Sequence, residues 1–142
     1  MRGFLAIVLF SVYLMAIDMP KKIVYIEDPR DVSDEIMIHF VKSDFDRGLD
    51  IAKKYWILSD RDIDRLGTQI ERQWRVISKR FGKSLTQEFI KTQKVGRSFR
   101  RYYYLQKFEN HAIYWSFTFY RSKSLWQINE INFKDDLSIL FE

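Results

Sequence analysis

Few side chains in this 142-residue chain are spaced so that they could do chemistry. His39 and His111 stand far apart with no ligand spacing around either, so no zinc site is indicated. There is no cysteine, which excludes disulfides, thiolate metal ligands and lipid attachment through a thiol. Asp60, Asp62 and Asp64 resemble an oxygen-ligand set. They fall on a predicted helix, where i and i+2 point apart, and an oxygen-ligand loop also needs a turn glycine and a closing Glu. Gln106 and Glu130 are the polar residues expected on or beside an aromatic inner surface, near Trp115. A carboxylate in such a cavity has a raised pKa and can act as a general base. The favoured reading instead puts Glu130 in a strand bulge facing solvent, because bulges redirect side chains. No catalytic constellation, metal or cofactor is indicated.

The chain carries a formal charge of +5, with acids and bases interleaved. The densest basic spots are Arg97/Arg100/Arg101 and Arg72/Arg75/Lys79/Arg80. The first reads as a strand end and the second as a solvated helix face, rather than a nucleic-acid footprint. Contact with an anionic surface is the alternative. The hydrophobic fraction of 46% and aromatic fraction of 17% are ample for one packed domain.

Arg2 precedes a charge-free run from Gly3 to Ala16, followed by Asp18 and Lys21-Lys22. The run is short for a membrane span and matches the apolar region of a secretory signal, residues 1–16. An uncleaved anchor is the alternative, and in that case alone is a membrane association expected. Residues 17–30 are expected to be a lead-in and residues 31–142 a single exported domain, secreted or periplasmic.

The domain opens with helices. Asp31 is the expected cap of the first, with Val32, Ile36, Met37, Phe40 and Val41 on one face. The second is expected over Asp46 to Trp56, with Gly48 weakening its first turn. The third is the clearest: Ser59 caps it, and Ile63, Leu66, Ile70, Trp74, Ile77 and Phe81 form one stripe before Gly82.

Four strands follow, rich in aromatics. They are expected over Gln87 to Val95 (an edge), Ser98 to Glu109, Ala112 to Arg121 and Leu125 to Phe133. A two-residue turn at Asn110-His111 predicts that Gln106 faces Trp115, Tyr104 faces Phe117 and Tyr102 faces Phe119. A four-residue connection pairs Phe119 with Trp126 and Phe117 with Ile128. In the last strand the apolar phase slips between Ile128 and Ile131, predicting a bulge at Asn129-Glu130. One sheet face is thus the helix-covered core. The other carries Phe99, Tyr103, Leu105, Tyr114 and Tyr120 among polar residues, a composition suited to a partner.

Three helices before a bent four-stranded antiparallel sheet resemble the nuclear transport factor 2-like superfamily, an α+β cone related to the cystatin-like fold. The residues that carry the likeness are Tyr102-Tyr103-Tyr104, Trp115 to Tyr120, Leu125 to Ile128, Phe133 and Leu140-Phe141. The chain looks like small exported bacterial domains of that superfamily. The resemblance implies helices on the concave face of the sheet, and it covers nearly everything after about residue 30. Members include enzymes with acid–base groups inside the cone and many non-catalytic binding domains; the enzymes' acid–base sets find no match here. The expectation is a non-enzymatic binding or assembly domain. It would form a homodimer, or dock another exported protein, through Phe99, Tyr103, Leu105, Tyr114 and Tyr120. The alternative is a small apolar-ligand pocket inside the cone, isomerase- or cyclase-like, lined by Trp74, Tyr104, Gln106, Trp115, Phe117 and Glu130. A remaining cavity would favour the pocket; a filled core favours interaction.

Overall fold

The computed structural model describes residues 21–142, and the expected signal segment lies outside them. Helix α1 spans Pro29–Phe40, α2 Phe45–Lys53 and α3 Asp60–Phe81. They precede an antiparallel sheet of β1 Ser84–Val95, β2 Phe99–Phe108, β3 Ala112–Tyr120 and β4 Gln127–Lys134, in that spatial order. The architecture is α+β, with one hydrophobic core contributed by the helices and one face of the sheet. Among the described residues no helix is long and apolar enough to cross a membrane.

Helix α1 starts earlier than Asp31. Asp28 caps it, its side chain accepting from the Arg30 N–H, and Pro29 takes the first helical position, where no N–H is needed. The lead-in is part of the packed domain. Ile26 is buried and pairs with Trp126 through hydrogen bonds of 2.8 and 2.9 Å.

Helix α2 ends at Lys53, short of Trp56. The chain leaves the helix so that the Tyr55 carbonyl can accept from Ile128 N–H at 2.8 Å and Trp56 can bridge to Ile128. Gly48 is a packing residue: the Phe40 ring lies against its backbone, and a Cβ there would collide with it. In α3 the expected signals operate. Ser59 Oγ accepts from Asp62 N–H at 3.1 Å, and Gly82 ends the helix at φ 88°.

The faces of the strands follow the alternation in the sequence, but the register is displaced by two residues. Gln106 lies opposite Ile113, Tyr104 opposite Trp115 and Tyr102 opposite Phe117. The cause is the turn. Glu109 and Asn110 donate their N–H groups to the carbonyls of Lys83 and Phe81, and Lys83 N–H returns a bond to Glu109 Oε1 at 2.9 Å. Tethered to the end of α3, the turn spans four residues, with Phe108 N–H bonded to the His111 carbonyl. Ladder pairing begins at Lys107 and Ala112.

Between β3 and β4, Phe119 pairs with Ile128 and Thr118 with Glu130, leaving Asn129 as the extra residue. The bulge lies where the phase slip places it, and it keeps both Ile128 and Ile131 buried. Trp126, expected opposite Phe119, lies before β4 and is held by Ile26. Ile77, expected in the core, is half-buried beside a surface groove.

Candidate functional site

Trp74, Tyr104, Gln106, Trp115 and Phe117 come together in the core; Glu130 does not. The space above Trp115 is occupied by aromatic rings. Phe40 lies 4.5 Å from it, Phe133 4.8 Å, and Trp74 and Phe45 about 6 Å, centroid to centroid. Trp74 and Phe45 close the helix side at 4.6 Å, edge to face. Tyr104 and Phe117 meet edge to face at 5.6 Å.

Gln106 is fully buried and fully engaged. Its Oε1 accepts from Trp115 Nε1 at 2.8 Å, and its Nε2 donates to Ser84 Oγ at 2.7 Å. Ser84 in turn donates to the Val41 carbonyl at 2.7 Å, so the chain of bonds joins sheet to α1. Each member has its partner, and none is presented to a ligand. Glu130 sits beside the bulge on the opposite face, half-exposed, with its carboxylate 3.6 Å from Arg101. Arg101 also donates to Thr118 at 2.7 Å on that face.

A second polar cluster escaped the sequence reading. Tyr104 OH donates to Asp34 Oδ1, which also accepts from Arg30 Nε at 2.9 Å. The Arg30 guanidinium lies 3.5 Å over the Phe89 ring. Burial, and then the Asp34 carboxylate, push the Tyr104 phenol far above its ordinary value. The i, i+4 spacing of Arg30 and Asp34 was a signal for the pair; the tyrosine partner was not legible. The cluster ties α1 to β1 and β2.

The outer face is not bare. Tyr103 is 1% exposed and Tyr114 6% exposed. After β4 the chain forms a short 3-10 turn, Ser138–Phe141. Lys91, whose ammonium lies 5.4 Å from the Tyr103 ring, donates to the Ile139 carbonyl at 2.6 Å, holding the tail against that face. Tyr103 OH is also bonded to Gln93 at 2.8 Å. Burial, then the neighbouring Tyr103, raises the Tyr114 pKa. Of the five residues expected to form an open patch, Phe99, Leu105 and Tyr120 remain half-buried at the surface. Phe99 and Tyr120 pair at 5.0 Å. Tyr103 and Tyr114 instead pack on each other, ring centroids 5.5 Å apart, beside Lys91 and Gln93 of the neighbouring strand.

Open space lies along the α3 side of the core. A groove of about 430 Å³ runs between the C-terminal half of α3 and the end of β4, walled by Val76, Ile77, Phe81 and Phe133. A smaller one of about 200 Å³ adjoins it and reaches Trp115; Gln73 and Phe133 line both. Among the described residues no three His, Asp or Glu side chains gather as a metal site. No family model, curated protein or solved structure matches this chain.

Proposed function

We propose that the chain is an exported, non-enzymatic binding or assembly domain on a nuclear transport factor 2-like cone. The packing around Trp115 and Gln106 supports this reading. Phe40, Phe45 and Phe133 crowd most of the space around Trp115, leaving about 200 Å³ on the α3 side, and Gln106 is committed to Trp115 and Ser84. Binding then falls to the surface, where the half-exposed Phe99, Leu105 and Tyr120 are candidates for self-association or for another exported protein. Sedimentation of the purified protein, with affinity recovery from its native compartment, tests this. A dimer or a stoichiometric partner lost in Leu105→Glu/Tyr120→Glu is expected. A strictly monomeric protein whose variant recovers the same material overturns the outer-face assignment.

A second reading is favoured by the groove beside α3. Its volume of about 430 Å³ lies in the range of small-molecule sites, and its walls combine Val76, Ile77, Phe81 and Phe133 with the polar Gln73, Arg80 and Asp136. Native mass spectrometry showing a small apolar molecule retained by the protein and lost in Ile77→Asp would move the function there.

A further inference from the structure

We infer that the end of the domain carrying Trp126 is a docking surface for an anionic lipid membrane. The inference names a partner for the binding reading above and rests on it. Three segments meet at this end: the β1–β2 hairpin, the β3–β4 connection and the strand-like stretch around Ile26. They are fastened by the Ile26–Trp126 pair and by Arg121 Nε donating to the Arg97 carbonyl at 2.8 Å. The guanidinium carbons of Arg100 and Arg121 lie 4.7 and 4.6 Å from the Trp126 ring centroid. Lys94 is the cross-strand partner of Arg100, and Lys123 lies in the connection after Arg121.

Among the described residues none of Lys94, Arg97, Arg100, Arg121 or Lys123 has a carboxylate within ion-pair distance, whereas the neighbouring Arg101 is paired with Glu130. Glu27, beside Ile26, is the nearest acid in the strand-like stretch, and Asp28 is occupied in capping α1. The cluster therefore keeps a net positive field. The stacking on Trp126 fixes two of the guanidiniums before any ligand arrives.

The partner's chemistry follows from what stands beside the charges. Val95 at the hairpin tip is 69% exposed and Leu125 in the connection 41% exposed. Aliphatic side chains among arginines and lysines suit the boundary between headgroups and acyl chains. Nucleic-acid binding would use aromatic rings open for stacking, and Trp126 is buried under the two guanidiniums. The other basic spot, Arg72, Arg75, Lys79 and Arg80 on α3, has Glu71 beside it, and its one stacked guanidinium, Arg80, lies farther from its ring, 5.5 Å from Phe81.

Vesicle co-sedimentation of the full chain tests the inference, using phosphatidylglycerol-containing and pure phosphatidylcholine vesicles. The probe is Lys94→Glu/Arg97→Glu/Lys123→Glu; the equal-charge control is Arg72→Glu/Arg75→Glu/Lys79→Glu. The phosphatidylglycerol preference of the native protein should fall by about tenfold or more in the probe, since each basic residue near an anionic surface contributes measurably, and change little in the control. Val95→Asp/Leu125→Asp should lower it as well. Equal affinity for both vesicle types, an equal loss in the control, or a competing oligonucleotide bound more tightly than the vesicles overturns the inference. Failure here leaves a protein partner recoverable at Leu105 and Tyr120, so the binding reading is judged separately.

Discussion

Trp115 donates its indole N–H to Gln106 Oε1 at 2.8 Å, with both side chains completely shielded from solvent. The amide thus replaces water for a ring that is otherwise surrounded by aromatic carbon. Removing it while keeping its volume leaves the indole N–H and Ser84 Oγ short of a partner. Gln106→Leu should therefore cost about 1–3 kcal/mol, despite being the more apolar residue. Trp115→Ala should cost about 3–5 kcal/mol, the range for a large aromatic lost from a core. Urea midpoints measure both; an unchanged midpoint in Gln106→Leu would show that the bond contributes nothing.

The bulge makes two deletions in one strand unequal. Without Asn129, Ile128 and Ile131 still point inward and Glu130 outward, because the removed residue is the unpaired one. Without Asn132, Phe133 turns away from Trp115, which it now contacts at 4.8 Å. The second deletion should be the more destabilising by about 2 kcal/mol or more. Equal losses in chemical denaturation would mean that β4 slides to compensate.

Tyr104 predicts how stability responds to alkali. Its folded pKa is raised above the ordinary 10.0, first by burial and then by Asp34. The neutral phenol belongs to the fold, so its contribution is fully present below the unfolded pKa. As pH rises past about 10 the unfolded chain loses this proton first, and stability falls by roughly 1.4 kcal/mol per pH unit for each such group. Tyr104→Phe should flatten that decline by about one proton, at the cost of a lower plateau at neutral pH because Asp34 loses a donor. A decline of equal steepness in the variant, followed by denaturant titration from pH 8 to 11, would place the linked proton elsewhere.

The tail should be separable from the core. Deleting residues 137–142 removes the Ile139 carbonyl from Lys91, whose ammonium stands beside the Tyr103 ring, and is expected to open the face that carries Tyr103 and Tyr114. The Tyr114 pKa, raised chiefly by burial, should return toward its ordinary value while the helices stay folded. Ring resonances of Tyr114 followed against pH report this directly. No movement would show that strand neighbours alone, rather than the tail, bury the ring.

The elements of the fold were legible because they depend on local signals. The Ser59 cap, the α3 stripe and the Gly82 stop are each set within a few residues. The inner faces of β2, β3 and β4 were legible because alternation decides which side chains point to the core, whatever they pair with. The bulge at Asn129 was legible for the same reason, as a break in that alternation.

Partners were a different matter, because contacts distant in sequence decide them. A two-residue turn and the observed four-residue one leave the same side chains inward, so the sequence could not choose between them; the carbonyls of Phe81 and Lys83 did. Ile26 carries no local signal, because one buried residue in a short stretch has no period, and only Trp126 gives it a place. Tyr104 meets Asp34 across 70 positions, and no spacing rule reaches that far. The outer face is mixed in composition, and which of its tyrosines are buried depends on neighbours distant in sequence, such as Gln93 on Tyr103. Sequence therefore determined the α+β class, the limits of α3 set by its caps and the face of most core residues, since these follow from local geometry and burial. Tertiary structure alone decided the register, the packing around Trp115, the burial of Tyr103 and Tyr114 and the basic end around Trp126, since each depends on surfaces that meet only after the chain has folded.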